Sequence, residues 1–556
     1  MKDIRTKTSN TIIKRLGWQT GIKDQAGIAG DLAAGKDIEE VYGLGKAGLF
    51  DEFFFLDELG ILKLFSNLDP KRTELPTNIQ FPAVILIYVM RIVAGLTFFW
   101  HTEPVLLLSQ SLMRLIGFNA KQILDGTCRR GLKKSQLPAD VDETQNESSQ
   151  IRGPICADSV ATYISAIAAT ALEKLFNKVV GILAANSFFP KCIHAIMDSS
   201  EVQSTEKCQG CGKVSKEKAP SLRLRKGRIR KVLETVFGFK IWLVWDPNSK
   251  LPIAMRFTTI EVNDTQMARE VVQQAIINLG DHITIASIAF DRGFIDGSFM
   301  WWLDGRGIKF YVPAKTNMTV YQDALSLAAD GIRQTREKTR SVGHGKNKQT
   351  VTDRWDVVGI EALTSAGFYG EQGSGSHENR NDFIPNPINA VVVLHDPYKE
   401  NNPKSDTRVI LTNASVARPL APYDAYDQRS EIENAMFREA KQAWFLQRPA
   451  KNTADAFRAH AYLTIIVMAL TTAFQTWVAN QDKLHQQGKE TGIRKFREQV
   501  RIENCNKLIV FDEERYAIFE AYELLILLGK KVLKPRGKPE TITKEDILKK
   551  YGALRE

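Results

Sequence analysis

ITIASIAFDRGF, residues 283–294, joins a run of eight β-favouring residues to an acid, a base and a glycine. A nearly continuous apolar run of this length reads as a central strand covered on both faces. Asp291 closes it, and Gly293 allows a sharp exit toward a helix expected over 294–304. Upstream, CIHAIMD (192–198) reads as a second buried strand, also ending on an acid, Asp198. VFGFKIWLVW (236–245) and LPIAMRFTTI (251–260) read as strands joined by the turn Asp246-Pro-Asn-Ser. Asp264 is placed to cap a helix through Leu279, and IKFYV (308–312) reads as a short strand. Hairpins first, then strand–helix–strand, predict an α/β fold: a mixed sheet with helices on both faces.

Outside this centre, residues 1–137 read as a helical N-terminal region, with apolar clusters at 50–65 and 103–118. Residues 138–190 hold a polar, acidic linker followed by a helix over 161–180 that Asp158 could cap. The sheet occupies 191–315. Residues 316–415 are polar and Gly-rich, with isolated strands at 388–395 and 407–413, and read as a β-rich insertion. Residues 416–481 are helical, and 482–556 form a helical tail.

The chain has 556 residues, with 75 Lys+Arg against 64 Asp+Glu, a formal charge of +11. Hydrophobic residues at 44% and charged residues at 25% exclude a wholly disordered chain, a collagen-like repeat and a disulfide-stapled scaffold. The positive balance favours a polyanionic partner. Six Cys in this length make no disulfide framework, and a reducing cytosol is the expected compartment. The apolar stretch 81–100 is interrupted by Arg91, and 459–481 carries His460, four Thr and Gln475, so both read as core helices, with no membrane partner.

Three acids stand out by context. Asp198 and Asp291 close neighbouring strands, and such ends converge at one edge of an α/β sheet. Glu433 lies in YDQRSEIENAMFREAKQAW (426–444), which has no Gly or Pro and reads as a helix. Singly, acids at strand ends and on helices are usually caps or solvated groups. Held together, they need cations. Hard oxygen ligands suit two Mg²⁺ or Mn²⁺ ions about 3.5–4 Å apart, which activate a hydroxyl and stabilise a leaving oxygen at a phosphodiester.

MDSSEV (197–202), FGFKIWLVWDPNSKLPIAMRFTTIEVNDTQ (237–266), IAFDRGF (288–294), VILTNAS (409–415) and YDQRSEIE (426–433) together resemble the DDE-type insertion-sequence transposases of the group named after insertion sequence 4. The resemblance spans about 190–480. It implies an RNase H-like catalytic domain interrupted by a β-rich insertion, with Asp198, Asp291 and Glu433 as the catalytic, metal-binding triad. It further implies DNA as partner, a homodimer in the synaptic complex, and a prokaryotic cytoplasm with its nucleoid as the setting. In one ideal helix Tyr426, Arg429 and Glu433 share a face, so Tyr426 and Arg429 are candidates to hold DNA beside the metals. The family continues with Lys seven residues after the Glu. Here position 440 is Ala and the lysine is Lys441, displaced by about 100° in an ideal helix. A π-bulge would restore its register, or the long side chain would reach without one.

The segment LRLRKGRIRK (222–231) could form a hairpin in which Arg225 faces Arg228 and Arg223 faces Arg230, suited to a DNA backbone or to a solvated basic face. Cys208 and Cys211 form half of a zinc knuckle with no second pair nearby, and ligand count favours free thiols. No phosphate-binding G-x-x-x-x-G-K-[ST] loop and no G-x-S-x-G elbow is present. The reading is a transposase that binds inverted repeats, cleaves phosphodiesters and joins 3′ ends, with 1–137 as the candidate for end recognition. The alternatives are a metal-dependent nuclease without strand transfer and an inactive DNA-binding derivative.

Overall fold

The computed structural model describes residues 21–38, 40–44, 47–66, 68, 79, 81–126, 153–217, 233–342, 349–373, 386–395, 407–481, 493–502, 507–530 and 542–554. The chain divides into two compact units, 176–442 and a second formed by 1–175 with 443–556.

In the unit 176–442 the apolar runs form one mixed sheet. Its strands are β1 (Cys192–Ser204), β2 (Gly212–Glu217), β3 (Leu233–Asp246), β4 (Leu251–Thr259), β5 (Thr284–Phe290), β6 (Lys309–Pro313), β7 (Ile332–Val342), β8 (Gln349–Leu363), β9 (Ile388–His395) and β10 (Arg408–Thr412). The order is β2-β3-β1-β5-β6-β10-β9-β8-β7, with β4 also paired to β3. β5 runs parallel to β1 and β6, while β3 is antiparallel to β1 and β4. Three antiparallel strands followed by two parallel ones, in spatial order β4-β3-β1-β5-β6, is the RNase H-like arrangement. Ile193, Ile196 and Met197 of β1 and Ile288 and Phe290 of β5 are buried, as are Trp242 and Trp245 of β3. The apolar composition of these strands thus follows from cover on both faces.

The stretch read as an insertion extends this sheet. β10 pairs antiparallel to β6 through Ile410–Pro313, Leu411–Val312 and Thr412–Tyr311, and β9, β8 and β7 follow in turn. An open β6 edge would expose a row of unpaired backbone groups, and β10 covers it.

Helix boundaries differ from the sequence reading where caps compete. α1 (Asp264–Leu279) is capped by Asn263, whose side chain accepts from the Thr265 N–H, which leaves Asp264 at the first helical position. The helix read over 161–180 is two, Ala157–Ile164 and Ala169–Ala185. Cys156 is the N-cap residue of the first, and Asp158 lies in its first turn, where the helix dipole favours an acid.

The second unit packs helices with a four-stranded sheet in the order Ile22–Lys23, Arg515–Glu520, Lys507–Asp512, Glu40–Gly43. The chain's two ends therefore contribute strands as well as helices. Helix Ala454–Gln481 is, among the described residues, the one long and apolar enough to cross a membrane, and 72% of its apolar window is buried. His460 on this helix is enclosed: its Nδ1 accepts from the Tyr88 hydroxyl at 3.0 Å and its Nε2 donates to the Phe445 carbonyl at 3.0 Å. Burial, aided by Arg91, pushes its pKa down to about 3.

Glu52 is buried in the same unit. The Thr471 hydroxyl donates to its Oε1 at 2.6 Å, while Oε2 has no hydrogen-bond partner among the described residues. Burial raises its pKa from 4.5 to about 7, against the opposing pull of Thr471 and Arg497. Between these values the folded chain holds a proton that the unfolded chain releases. Stability therefore falls by about 1.4 kcal/mol per pH unit as pH rises through that window, and the cost is fully present above it. Glu52→Gln, which mimics the protonated side chain, is expected to match the wild type in thermal unfolding at pH 5 and to unfold several degrees higher at pH 8.

Candidate active site

β1 and β5 are adjacent and parallel, with Met197 opposite Phe290, so the next residues, Asp198 and Asp291, stand side by side. β5 ends at Phe290, but β1 does not close at Asp198 as expected: it runs on to Ser204 with Asp198 opposite Leu243, because the long strand β3 continues the ladder. Asp198 is buried, 7% exposed. The Ser199 N–H donates to its Oδ1 at 2.7 Å. Burial raises the Asp198 pKa to about 7, and the like charges of Glu433 and Asp291 add to the effect, while the Ser199 N–H and Arg429 oppose it. Burial is the larger influence, and the two acids reinforce it.

The third acid comes from a helix of irregular winding. α2 (Leu420–Asp427) ends in a tight turn, in which the Arg429 N–H donates to the Tyr426 carbonyl at 2.9 Å. A π-helical turn, Ile432–Phe437, follows, and then α-helix Arg438–Gln442. Arg429 Nη1 donates to Asp198 Oδ2 at 3.0 Å and to Glu433 Oε1 at 2.9 Å. One guanidinium thus joins the strand acid to the helix acid. Burial works against its charge, but Tyr426, Glu433, Asp198 and Asp291 together raise the Arg429 pKa.

The π turn bears on Lys441. One extra residue in a turn makes eight residues span the rotation of about seven in a regular helix, so Lys441 returns to within roughly 20° of the Glu433 direction. Lys441 is half-buried. Its pKa is lowered by burial and by Lys216, while Glu201 on β1 pulls the other way. Glu201 itself pairs with Lys216 of β2. Arg438, three residues before Lys441, is exposed.

Tyr426, a candidate to hold DNA beside Arg429, is enclosed. Its ring is 8% exposed, in a cluster with Ala289, Tyr311, Val391 and Tyr423. Burial raises the pKa of its hydroxyl, which lies within reach of the Arg429 side chain. Its contact with the site thus runs through Arg429. Arg223, Arg225, Arg228 and Arg230 lie outside the described residues. Cys208 is buried and Cys211 partly exposed, both as free thiols in the turn between β1 and β2.

Gly293 makes a close approach to Asp264 and does not use a left-handed backbone angle. A Cβ there would lie 3.0 Å from Asp264 Oδ2. That carboxylate is held fast: its Oδ1 accepts from Ser199 Oγ at 2.9 Å, Trp242 Nε1 at 3.1 Å and Lys240 Nζ at 3.2 Å. Sequence reading assigned Asp264 only a capping role, since the convergence of three donors from two strands has no local signature.

Three carboxylates with hard oxygen donors form a set suited to Mg²⁺ or Mn²⁺. With Arg429 between two of them, no group of three or more His, Cys, Asp or Glu among the described residues is close enough to hold a metal ion. The donor chemistry fits the ions, and Arg429 is the cation that would yield to them.

A family model described as transposase DDE domain matches residues 193–471, just over half of the chain. The chain is similar, at 9% identity and a TM-score of 0.35, to the protein in a cryo-EM structure of the piggyBac transposase synaptic complex with hairpin DNA, over 87% of this chain and 82% of that one. No curated protein matches.

Removing Arg429 leaves Asp198 buried beside two acids with no cation. Arg429→Ala is expected to lower stability by about 1–3 kcal/mol, in the range for breaking a partly buried pair from one side. Thermal unfolding at pH 8 without divalent ions measures it. Mg²⁺ is expected to recover more stability in this variant than in the wild type.

Proposed function

The chain belongs to the transposase DDE domain family, and from that premise we propose that it binds the inverted repeats of a mobile element, cleaves phosphodiester bonds there and joins the freed 3′ ends to target DNA. Within the family we assign it to the group named after insertion sequence 4, on the Tyr426-x2-Arg429-x3-Glu433 element. The observation that carries this reading is the gathering of Asp198, Asp291 and Glu433 about Arg429, where β5 ends beside the middle of β1.

Asp198 and Asp291 would hold the metals from the sheet and Glu433 from the helix. Two bound divalent ions would supply a Lewis acid and an activated hydroxyl for in-line attack at phosphorus. Arg429, once released from the carboxylates, would turn its planar fork to a phosphate, and the buried Tyr426 would limit how far it swings. Lys441 would contact the backbone of the same strand. The +11 surplus assists encounter with DNA, and Arg223, Arg225, Arg228 and Arg230 would position the duplex without reading its sequence. Residues 1–137 are the proposed end-recognition region, and a homodimer would pair two ends. The setting is a prokaryotic cytoplasm, at the nucleoid.

The test is incubation with Mg²⁺ and DNA carrying the element's ends. The wild type is expected to cut and join, and Asp291→Ala to lose activity by at least about 10³-fold, since a ligand essential to the metals is gone. Lys441→Ala is expected to weaken DNA binding evenly across sequences and to lower the salt slope by about one. Equal cutting by wild type and Asp291→Ala would sink the triad. Cutting without joining would point to a nuclease.

A further inference from the structure

Asp264 is an acid beside the candidate site without a part in the proposed reaction, and its contacts reach the neighbours of both sheet acids. On one side Ser199 Oγ donates to Asp264 Oδ1 at 2.9 Å, while the Ser199 N–H donates to Asp198 Oδ1 at 2.7 Å. A single residue therefore stands between Asp264 and the Asp198 carboxylate. On the other side Gly293, two residues beyond Asp291, is so close to Asp264 that a Cβ would sit 3.0 Å from Oδ2.

The carboxylate is itself anchored. Trp242 Nε1 donates to Oδ1 at 3.1 Å, and Lys240 Nζ donates to Oδ1 at 3.2 Å and to the Val262 carbonyl at 3.0 Å. Trp242 is buried, and Lys240 lies 5.4 Å from its ring centroid. Lys240 and Trp242 belong to β3, Ser199 to β1, and Asp264 to the first turn of α1, where the helix dipole also favours a negative charge. Three elements thus fix one carboxylate, and it touches the chain just beyond each strand acid.

We propose that Asp264 is a positioning residue, which sets the spacing and orientation of Asp198 and Asp291 for the metals they hold. It touches neither metal nor DNA. It fixes the Ser199 side chain, and through the Ser199 N–H the rotamer of Asp198. By its close approach to Gly293 it also sets how the turn Arg292–Phe294 leaves β5. Partners that orient a ligating carboxylate in this way usually contribute about 10–100-fold in metal affinity. The proposal rests on the assignment of Asp198 and Asp291 as metal ligands.

The experiment measures Mn²⁺ binding to the full chain by electron paramagnetic resonance, without DNA, for the wild type, Asp198→Asn, Ser199→Ala, Asp264→Ala, Asp264→Asn and the double variant Ser199→Ala/Asp264→Ala. Thermal unfolding of each establishes that it is folded. Ser199→Ala and Asp264→Ala are each expected to weaken Mn²⁺ binding by about 10-fold or more. The double variant should be no weaker than the weaker single, because both cut the same link. Asp264→Asn should bind close to the wild type, since its Oδ1 still accepts all three donors. Should Asp264→Ala be too unstable, Ser199→Ala alone carries the decision. Unchanged affinity in Ser199→Ala and Asp264→Ala, with binding lost in Asp198→Asn, would overturn the positioning role and leave the metal assignment standing. Independent effects that multiply in the double variant would also overturn it. Wild-type binding insensitive to Asp198→Asn would remove the metal assignment itself, and the positioning role with it.

Discussion

One guanidinium, that of Arg429, joins the buried Asp198 of the sheet to the exposed Glu433 of a helix, and much of the surrounding structure follows from that contact. Asp198 is enclosed, and burial alone drives its carboxyl toward protonation. Arg429 reconciles the three by donating to both Asp198 and Glu433, with Asp291 within electrostatic range. The parallel pair β1 and β5 fixes where two of the acids stand.

The helical side is shaped by the same demand. A tight turn at Tyr426–Arg429 and a wide π turn over Ile432–Phe437 let one irregular segment bury Tyr426, aim Arg429 at the sheet and bring Lys441 back toward the Glu433 direction. Irregular winding of this kind weakens backbone hydrogen bonds relative to a regular helix, and such turns concentrate at functional sites. On the sheet side, the Asp264 carboxylate is held by β1, β3 and α1 and approaches Gly293 closely.

Strands β1, β3, β4, β5, β6, β9 and β10 were legible because double-sided burial leaves long apolar, β-branched runs with turn residues between them. The joining of β7–β10 to the same sheet was not legible, because which edge a polar-flanked strand covers depends on partners distant in sequence. The three acids could be picked out by position, although of the two strand acids only Asp291 stands at a strand's end, and Asp198 lies within β1. Lys441 was legible only as a displacement, whose relief by a π turn depends on packing rather than on propensity. For Tyr426, a helical face predicts neighbours but not whether the face meets solvent or core. Gly293 was singled out for a backbone freedom it does not use, since the Asp264 carboxylate that crowds it comes from 29 residues upstream.

The central claim is that Asp198, Asp291 and Glu433 form a metal site for which Arg429 is the metal-free counter-charge. Anomalous scattering from a crystal of the full chain soaked in Mn²⁺ tests it most directly. The account predicts a peak within about 2.0–2.6 Å of Asp198 and Asp291 carboxylate oxygens, the usual range for hard cations on oxygen ligands, with Arg429 drawn away from Asp198. A crystal with Mn²⁺ bound elsewhere, no peak at these acids, and Arg429 still bridging Asp198 and Glu433 would contradict it.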